Sequence, residues 1–202
     1  MRIVFIGCRG AGKTAVGKIV AHRLRLNFLD TDEIVEKEAG KTISEIFRLR
    51  GERYFRAAES KVIRGIRDRD GVVIAAGGGA PMRKSNVANL KSAGTLVFYL
   101  RAPAETLYQR CRTDFRTLNQ RPPLIRHAVS GIAEMRKILK ARERTYQSIA
   151  DVTIDTSSCT PSQAASAVIE LVRKFTRKSE RTSCSGQKEG EGRRRRTQEP
   201  RL

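Results

Sequence analysis

The sequence predicts a three-layer α/β fold in which a parallel sheet is covered on both faces by helices. Two observations carry this. Short β-branched and aromatic runs alternate with segments of helical apolar spacing, the pattern of successive βαβ units. The residues with the most chemical character also fall just after those runs, at the strand ends where such sheets bind ligands.

Taken in order, Arg2 to Ile6 is an apolar run that fits a buried strand. Lys13 to Arg25 then places Val16, Ile19, Val20 and Leu24 on one helical face. Asn27-Phe28-Leu29 reads as a second strand ending at Asp30, and Thr31 to Ala39 as a helix. Thr42-Ile43-Ser44-Glu45 is a capping box opening the next helix. Glu52 to Asp68 reads as a long charged helix. Val72 to Ala75 is a third strand, followed by Gly77-Gly78-Gly79, and Thr95 to Leu100 a fourth. Pro103 to Cys111 begins a helix with proline in its first turn. Thr113 to His127 is polar, rich in arginine and irregular, the kind of long loop that is usually functional. Gly131 to Ile149 returns to helix, Val152 to Ile154 is a last strand, and Pro161 to Phe175 a final amphipathic helix.

The chain has 202 residues, enough for one domain with a tail. The body is expected over residues 1–176. From Arg177 to Leu202 apolar residues nearly vanish, and nine basic residues face four acidic ones, so a disordered basic tail is expected there. No apolar run approaches the roughly 20 residues that cross a bilayer, and the opening run is too short for a signal peptide. A cytoplasmic protein is expected. Cys8, Cys111, Cys159 and Cys184 are scattered with no C-x-x-C pair, which removes zinc and redox readings. The formal charge of +20 favours anionic partners without choosing among them.

The strongest motif is Gly7-Cys8-Arg9-Gly10-Ala11-Gly12-Lys13-Thr14, which matches G-x-x-x-x-G-K-[ST] between a strand and a helix. Its glycines let backbone N–H groups wrap phosphate oxygens, and the following helix adds the positive end of its dipole. Gly7, Gly10, Ala11, Gly12, Lys13 and Thr14 are thus the expected nucleotide site. Lys13 reaches the β- and γ-phosphates and Thr14 faces Mg²⁺. Asp30-Thr31-Asp32 ends the second strand. There Asp30 can hold a water bound to Mg²⁺ while Asp32 orients an acceptor hydroxyl. An aspartate in this place also serves as the cap of the helix that follows. Gly77, Gly78 and Gly79 allow close backbone approach to a ligand, or form a plain tight turn. Arg56 and Arg142 lie on helices, where a solvated face is the default. An arginine fork nonetheless suits a carboxylate, because it engages both oxygens.

The ordered set G-x-x-G-x-G-K-T, D-T-D, F-R-x-x-E, G-G-G, R-P-x-L and R-x-x-x-Y resembles the shikimate kinase family from Met1 to about Phe175. The resemblance implies a P-loop kinase fold with five parallel strands in the order 2-3-1-4-5. It implies transfer of the γ-phosphate of ATP to the 3-hydroxyl of shikimate, in chorismate and aromatic amino acid biosynthesis, with Mg²⁺. Asp32, Arg56, Gly77, Gly78, Gly79 and Arg142 would form the shikimate pocket, with both arginines on the acid group. Lys13, Asp32 and Arg121 would be catalytic, and Thr14 and Asp30 would serve the metal. A lid over residues 113–127 would carry Arg121 above the phosphates. Arg110 or Arg112, with the loop from Asp155 to Pro161, would flank the adenine. The lid departs from the family pattern in reading Arg121-Pro122-Pro123-Leu124, where an extra proline stiffens the chain.

ATP and shikimate are the expected partners of a monomer, with no membrane and no specific nucleic acid. The rivals are a gluconate or nucleoside monophosphate kinase on the same fold, a nucleic-acid binder, and a kinase that binds nucleotide without turnover. The D-T-D, F-R-x-x-E and G-G-G set argues against the first. Aromatic residues at only 5% leave few stacking platforms for the second. Lys13, Thr14, Asp30 and Asp32 argue against the third.

Overall fold

The computed structural model describes residues 1–114 and 131–185, the side chains of 178–185 excepted. The chain divides into two units, Met1–Val168 and Ile169–Leu202. The sheet and every candidate site residue with described coordinates lie in the first.

Five strands form one parallel sheet: β1 Arg2–Ile6, β2 Asn27–Asp30, β3 Val72–Ala75, β4 Thr95–Arg101 and β5 Val152–Asp155. Their order is β2-β3-β1-β4-β5, as the family resemblance implies. Between them run α1 Lys13–Leu24, α2 Thr31–Ala39, α3 Ile43–Gly65, α4 Lys84–Leu90, α5 Ala104–Thr113, α6 Gly131–Ile149 and α7 Pro161–Ser185.

The central strands are apolar on both faces because helices cover both. Every residue of β1 and β3 is buried, and Phe5 meets Phe98 of β4 with ring centroids 5.8 Å apart. The register puts Phe5 level with Ala75, and Ala75 level with Asp30. The carboxyl ends of β1, β3 and β2 therefore lie side by side, and the three motifs that follow them converge.

Several boundaries differ from the sequence expectation. The long helical stretch is one element, α3, with a break at Gly51, where φ is 76° and ψ 172°. The Thr42–Glu45 capping box starts it as expected. Pro103 is the residue before α5 rather than in its first turn, and Thr113 closes that helix. Of the irregular segment, 115–130 lies outside the described residues, Arg121 included. The last helix runs to Ser185, beyond the Phe175 limit read from apolar spacing. A short 3-10 turn, Ala80–Met82, and α4 were not legible in the sequence. Their residues carry no sustained period, and the buried polar Asn86 donates to the carbonyl of Ala80 at 3.1 Å.

A second apolar cluster lies under α2 and α3: Val35, Ile43, Ile46, Phe55 and Val62, with the Phe47 ring tilted against Phe55 at 5.0 Å between centroids. It anchors α3 so that its Arg56–Glu59 edge faces the glycine run.

Candidate active site

The loop between β1 and α1 wraps tightly. Gly7 and Gly10 take φ of 142° and 80°, where a side chain is strained. A Cβ on either would also collide with backbone, 2.5 Å from the Leu100 carbonyl and 2.6 Å from that of Leu107. The cap of α1, Gly12, offers no side chain to cover the first N–H groups of that helix, the end that favours an anion. Lys13 folds back over the loop and donates to the carbonyls of Gly7 and Cys8, each at 2.9 Å. Its ammonium thus sits within the loop that it would help to neutralise.

Beside the loop, the Thr14 hydroxyl donates to Asp30 Oδ2 at 2.7 Å. Asp30 Oδ1 meanwhile accepts from the N–H groups of Asp32 and Glu33, at 3.0 and 3.4 Å, and so caps α2. The two readings of Asp30 are compatible: one oxygen fixes the helix and the other faces Thr14. Two hard oxygens from separate segments converge there, which fits a Mg²⁺ ion that takes few protein ligands.

The residues expected on the acceptor side meet at the glycine run. The Gly77 N–H donates to the buried Thr31 hydroxyl at 2.8 Å, which pins the run to the start of α2. A Cβ placed on Gly77 would lie 2.5 Å from Asp32 Oδ1 and 2.6 Å from Glu59 Oε1. One on Gly78 would lie 3.7 Å from Arg142 Nη1 and 3.6 Å from the backbone nitrogen of Arg9. One on Gly79 would press on the Arg56 guanidinium, 2.6 Å from Nη2. Gly77 and Gly79 leave room for those side chains, whereas a Cβ on Gly78 would make only ordinary contact, and the same contacts map the site. Asp32, Arg56 and Arg142 line one short stretch of backbone that also meets the phosphate loop.

Arg56 is held by a carboxylate to which the motif reading gave no role. Its Nη1 donates to both oxygens of Glu59, at 3.0 and 3.2 Å, and its Nε to Glu52 at 3.3 Å. Glu59 is 1% exposed. Burial pushes its carboxyl above the ordinary glutamate value, against the pull of Arg56, and the charge of Asp32 pushes the same way. The signal was present in the sequence. Glu59 stands four residues from both Phe55 and Ile63, on the apolar stripe of α3. A charge on such a stripe requires a partner.

Tyr146 was also missed. It is fully buried, its ring lies 5.1 Å from that of Tyr99, and its hydroxyl donates to the Gly78 carbonyl at 2.5 Å. From α5, Arg110 reaches the loop after β5. It donates to the carbonyl of Thr156 at 2.5 Å and to its hydroxyl at 3.2 Å. Arg112 instead lies over the Tyr108 ring at 5.9 Å. Pro161 opens α7, five residues beyond Thr156. Arg110, rather than Arg112, therefore meets the loop proposed to flank the base.

A tight phosphate loop at the carboxyl end of β1, in a sheet of order β2-β3-β1-β4-β5, defines this chain as a P-loop phosphotransferase. A family model for shikimate kinase matches residues 9–173. The shikimate kinase of Hahella chejuensis is 37% identical over 171 residues, 85% of either chain. That of Cupriavidus pinatubonensis is 40% identical over 167 residues, 83% of either chain. The solved shikimate kinase of Acinetobacter baumannii, in complex with shikimate, superposes with a TM-score of 0.79 at 34% identity, covering 86% of this chain and 93% of that one. The chain belongs to the shikimate kinase family.

Proposed function

We propose that this chain is a shikimate kinase, moving the γ-phosphate of ATP to the 3-hydroxyl of shikimate and releasing ADP. The observation that carries the acceptor is the meeting of Asp32, Arg56 and Arg142 on Gly77–Gly79, directly beside the phosphate loop. Two arginines and one aspartate suit a small molecule with an acid group at one end and hydroxyls at the other.

Phosphoryl transfer asks chiefly for positioning and charge neutralisation. The backbone N–H groups of Gly10 to Thr14 and the start of α1 cradle the phosphates. Lys13 exchanges its two loop carbonyls for the β- and γ-phosphate oxygens. Thr14 and Asp30 would hold Mg²⁺, which supplies neutralisation of phosphate charge when bound. Arg56, oriented by Glu59, and Arg142 grip the shikimate carboxylate. Asp32 accepts a hydrogen bond from the hydroxyl to be phosphorylated and aligns it for in-line attack. Arg121, within a lid over residues 113–127, is assigned the charge that develops on the γ-group, and lid closure excludes water. Arg110 and the loop to Pro161 flank the adenine. The kinase domain spans residues 1–176 and the basic segment 177–202 lies outside it. The protein acts in the cytoplasm as a monomer; among the described residues no helix is long and apolar enough to cross a membrane.

The test is ADP release by the purified protein with shikimate, gluconate, nucleoside monophosphates or no acceptor. Release that requires shikimate is expected. Equal release without it, or a preference for another acceptor, would overturn the assignment.

A further inference from the structure

The hydroxyl of Tyr146 is a junction between three segments that are distant in sequence. It donates to the carbonyl of Gly78 in the glycine run at 2.5 Å. It lies 3.8 Å from Cys8 Sγ in the phosphate loop. Arg142, one turn earlier on α6, lies beside the same glycine, its Nη1 3.7 Å from where a Cβ on Gly78 would stand.

A hydroxyl has one proton to give and two lone pairs to receive with. A carbonyl only accepts, so the proton of Tyr146 is committed to Gly78. The Cys8 thiol then donates into the tyrosine oxygen, whose remaining lone pair is open to the Arg142 guanidinium, a group that only donates. Burial raises both the Cys8 thiol and the Tyr146 phenol above their ordinary values, so both keep their protons near neutral pH and these directions hold. The ring cannot swing away. It packs on Tyr99, itself 1% exposed and paired in register with Ile6 at the end of β1.

We propose that Tyr146 is a positioning residue for the acceptor, its hydroxyl holding the Arg142 guanidinium and the Gly78 carbonyl in a fixed relation to the phosphate loop. This rests on the assignment of Arg142 to the acceptor carboxylate. A free arginine has many rotamers to lose on binding a ligand, and a preset one has fewer. The ring contributes packing, and the oxygen sets the arginine before the acceptor arrives.

Tyr146→Phe keeps the ring and removes the oxygen. Its KM for shikimate is expected to rise about ten-fold, the scale of a hydrogen bond to a charged group, with the KM for ATP unchanged within about two-fold. Tyr99→Phe is the control. The Tyr99 hydroxyl is buried without a hydrogen-bond partner among the described residues, and its removal should leave both KM values unchanged. The deciding measurement is a double-mutant cycle read as shikimate affinity by calorimetry. In an Arg142→Ala background, adding Tyr146→Phe should cost little further affinity. Equal losses in both backgrounds would show that the hydroxyl does not act through Arg142. A parallel rise of both KM values with a lowered thermal midpoint would reduce Tyr146 to packing. Normal shikimate-dependent turnover with an unchanged KM in Tyr146→Phe would overturn this inference alone. An unmutated protein that ignores shikimate would overturn the acceptor reading and this inference with it.

Discussion

The phosphate side and the acceptor side of the site are built in opposite ways. The phosphate side is eight consecutive residues, Gly7 to Thr14, whose function comes from backbone conformation and one lysine. The acceptor side takes one charge from the start of α2, two from α3 and one from α6, and rests them against a glycine run after β3. A local loop can be specified by its own glycines. A site collected from three helices needs each helix anchored by its own apolar face and each charge held by a partner. Hence the acceptor side carries the buried ion pair Arg56–Glu59 and the apolar cluster around Phe55. The phosphate loop is instead closed by backbone, with the Lys13 ammonium on the carbonyls of Gly7 and Cys8.

If the comparison is right, mutations on the two sides should separate chemistry from acceptor affinity. Lys13→Ala should have the largest effect, lowering turnover by about 10³-fold, the scale of losing a charged group on a transferring phosphoryl. Its thermal midpoint should move little, because the carbonyls of Gly7 and Cys8 that its ammonium bonds belong to its own loop. An assay of ADP release beside a melting curve checks both, and a large loss of stability would contradict the local construction.

Arg142→Ala should come next. Shikimate affinity should fall about 100-fold, as for a lost charge-assisted contact, while a non-hydrolysable ATP analogue binds nearly as before. Calorimetric titration with each ligand reads this directly. An unchanged shikimate affinity removes Arg142 from the carboxylate.

Glu59→Gln should have the smallest effect on turnover but the clearest on stability. It leaves Arg56 with only the exposed Glu52 and costs about 2 kcal/mol, less than the roughly 3–5 kcal/mol of breaking a fully buried pair. In a chain of this size that lowers the thermal midpoint by about 4–8 °C. The same variant tests the pH dependence. Burial raises the folded carboxyl above the ordinary value, so the native state binds this proton more tightly than the unfolded chain. Its contribution is greatest below the ordinary glutamate value and is lost as pH rises through the raised one. Glu59→Gln should flatten that part of the midpoint-against-pH curve. An identical slope in both proteins would place the titration elsewhere.

The sequence by itself determined the alternation of strands and helices, the phosphate loop, and the identity of nearly every charged residue in the site. Each of these is written in contiguous residues or in a short period, where local sterics and apolar spacing suffice. It did not determine that Arg56 and Arg142 stand against neighbouring glycines, since each alone reads as a surface residue on a helix. Nor did it assign work to Glu59 and Tyr146, although both stood in plain view within F-R-x-x-E and R-x-x-x-Y. Only tertiary structure decided those points. Two guanidinium groups come to flank one glycine run, and a tyrosine oxygen becomes a junction, through neighbours brought together by a parallel sheet whose order differs from that of the chain. Burial then makes each of those polar contacts costly to lose.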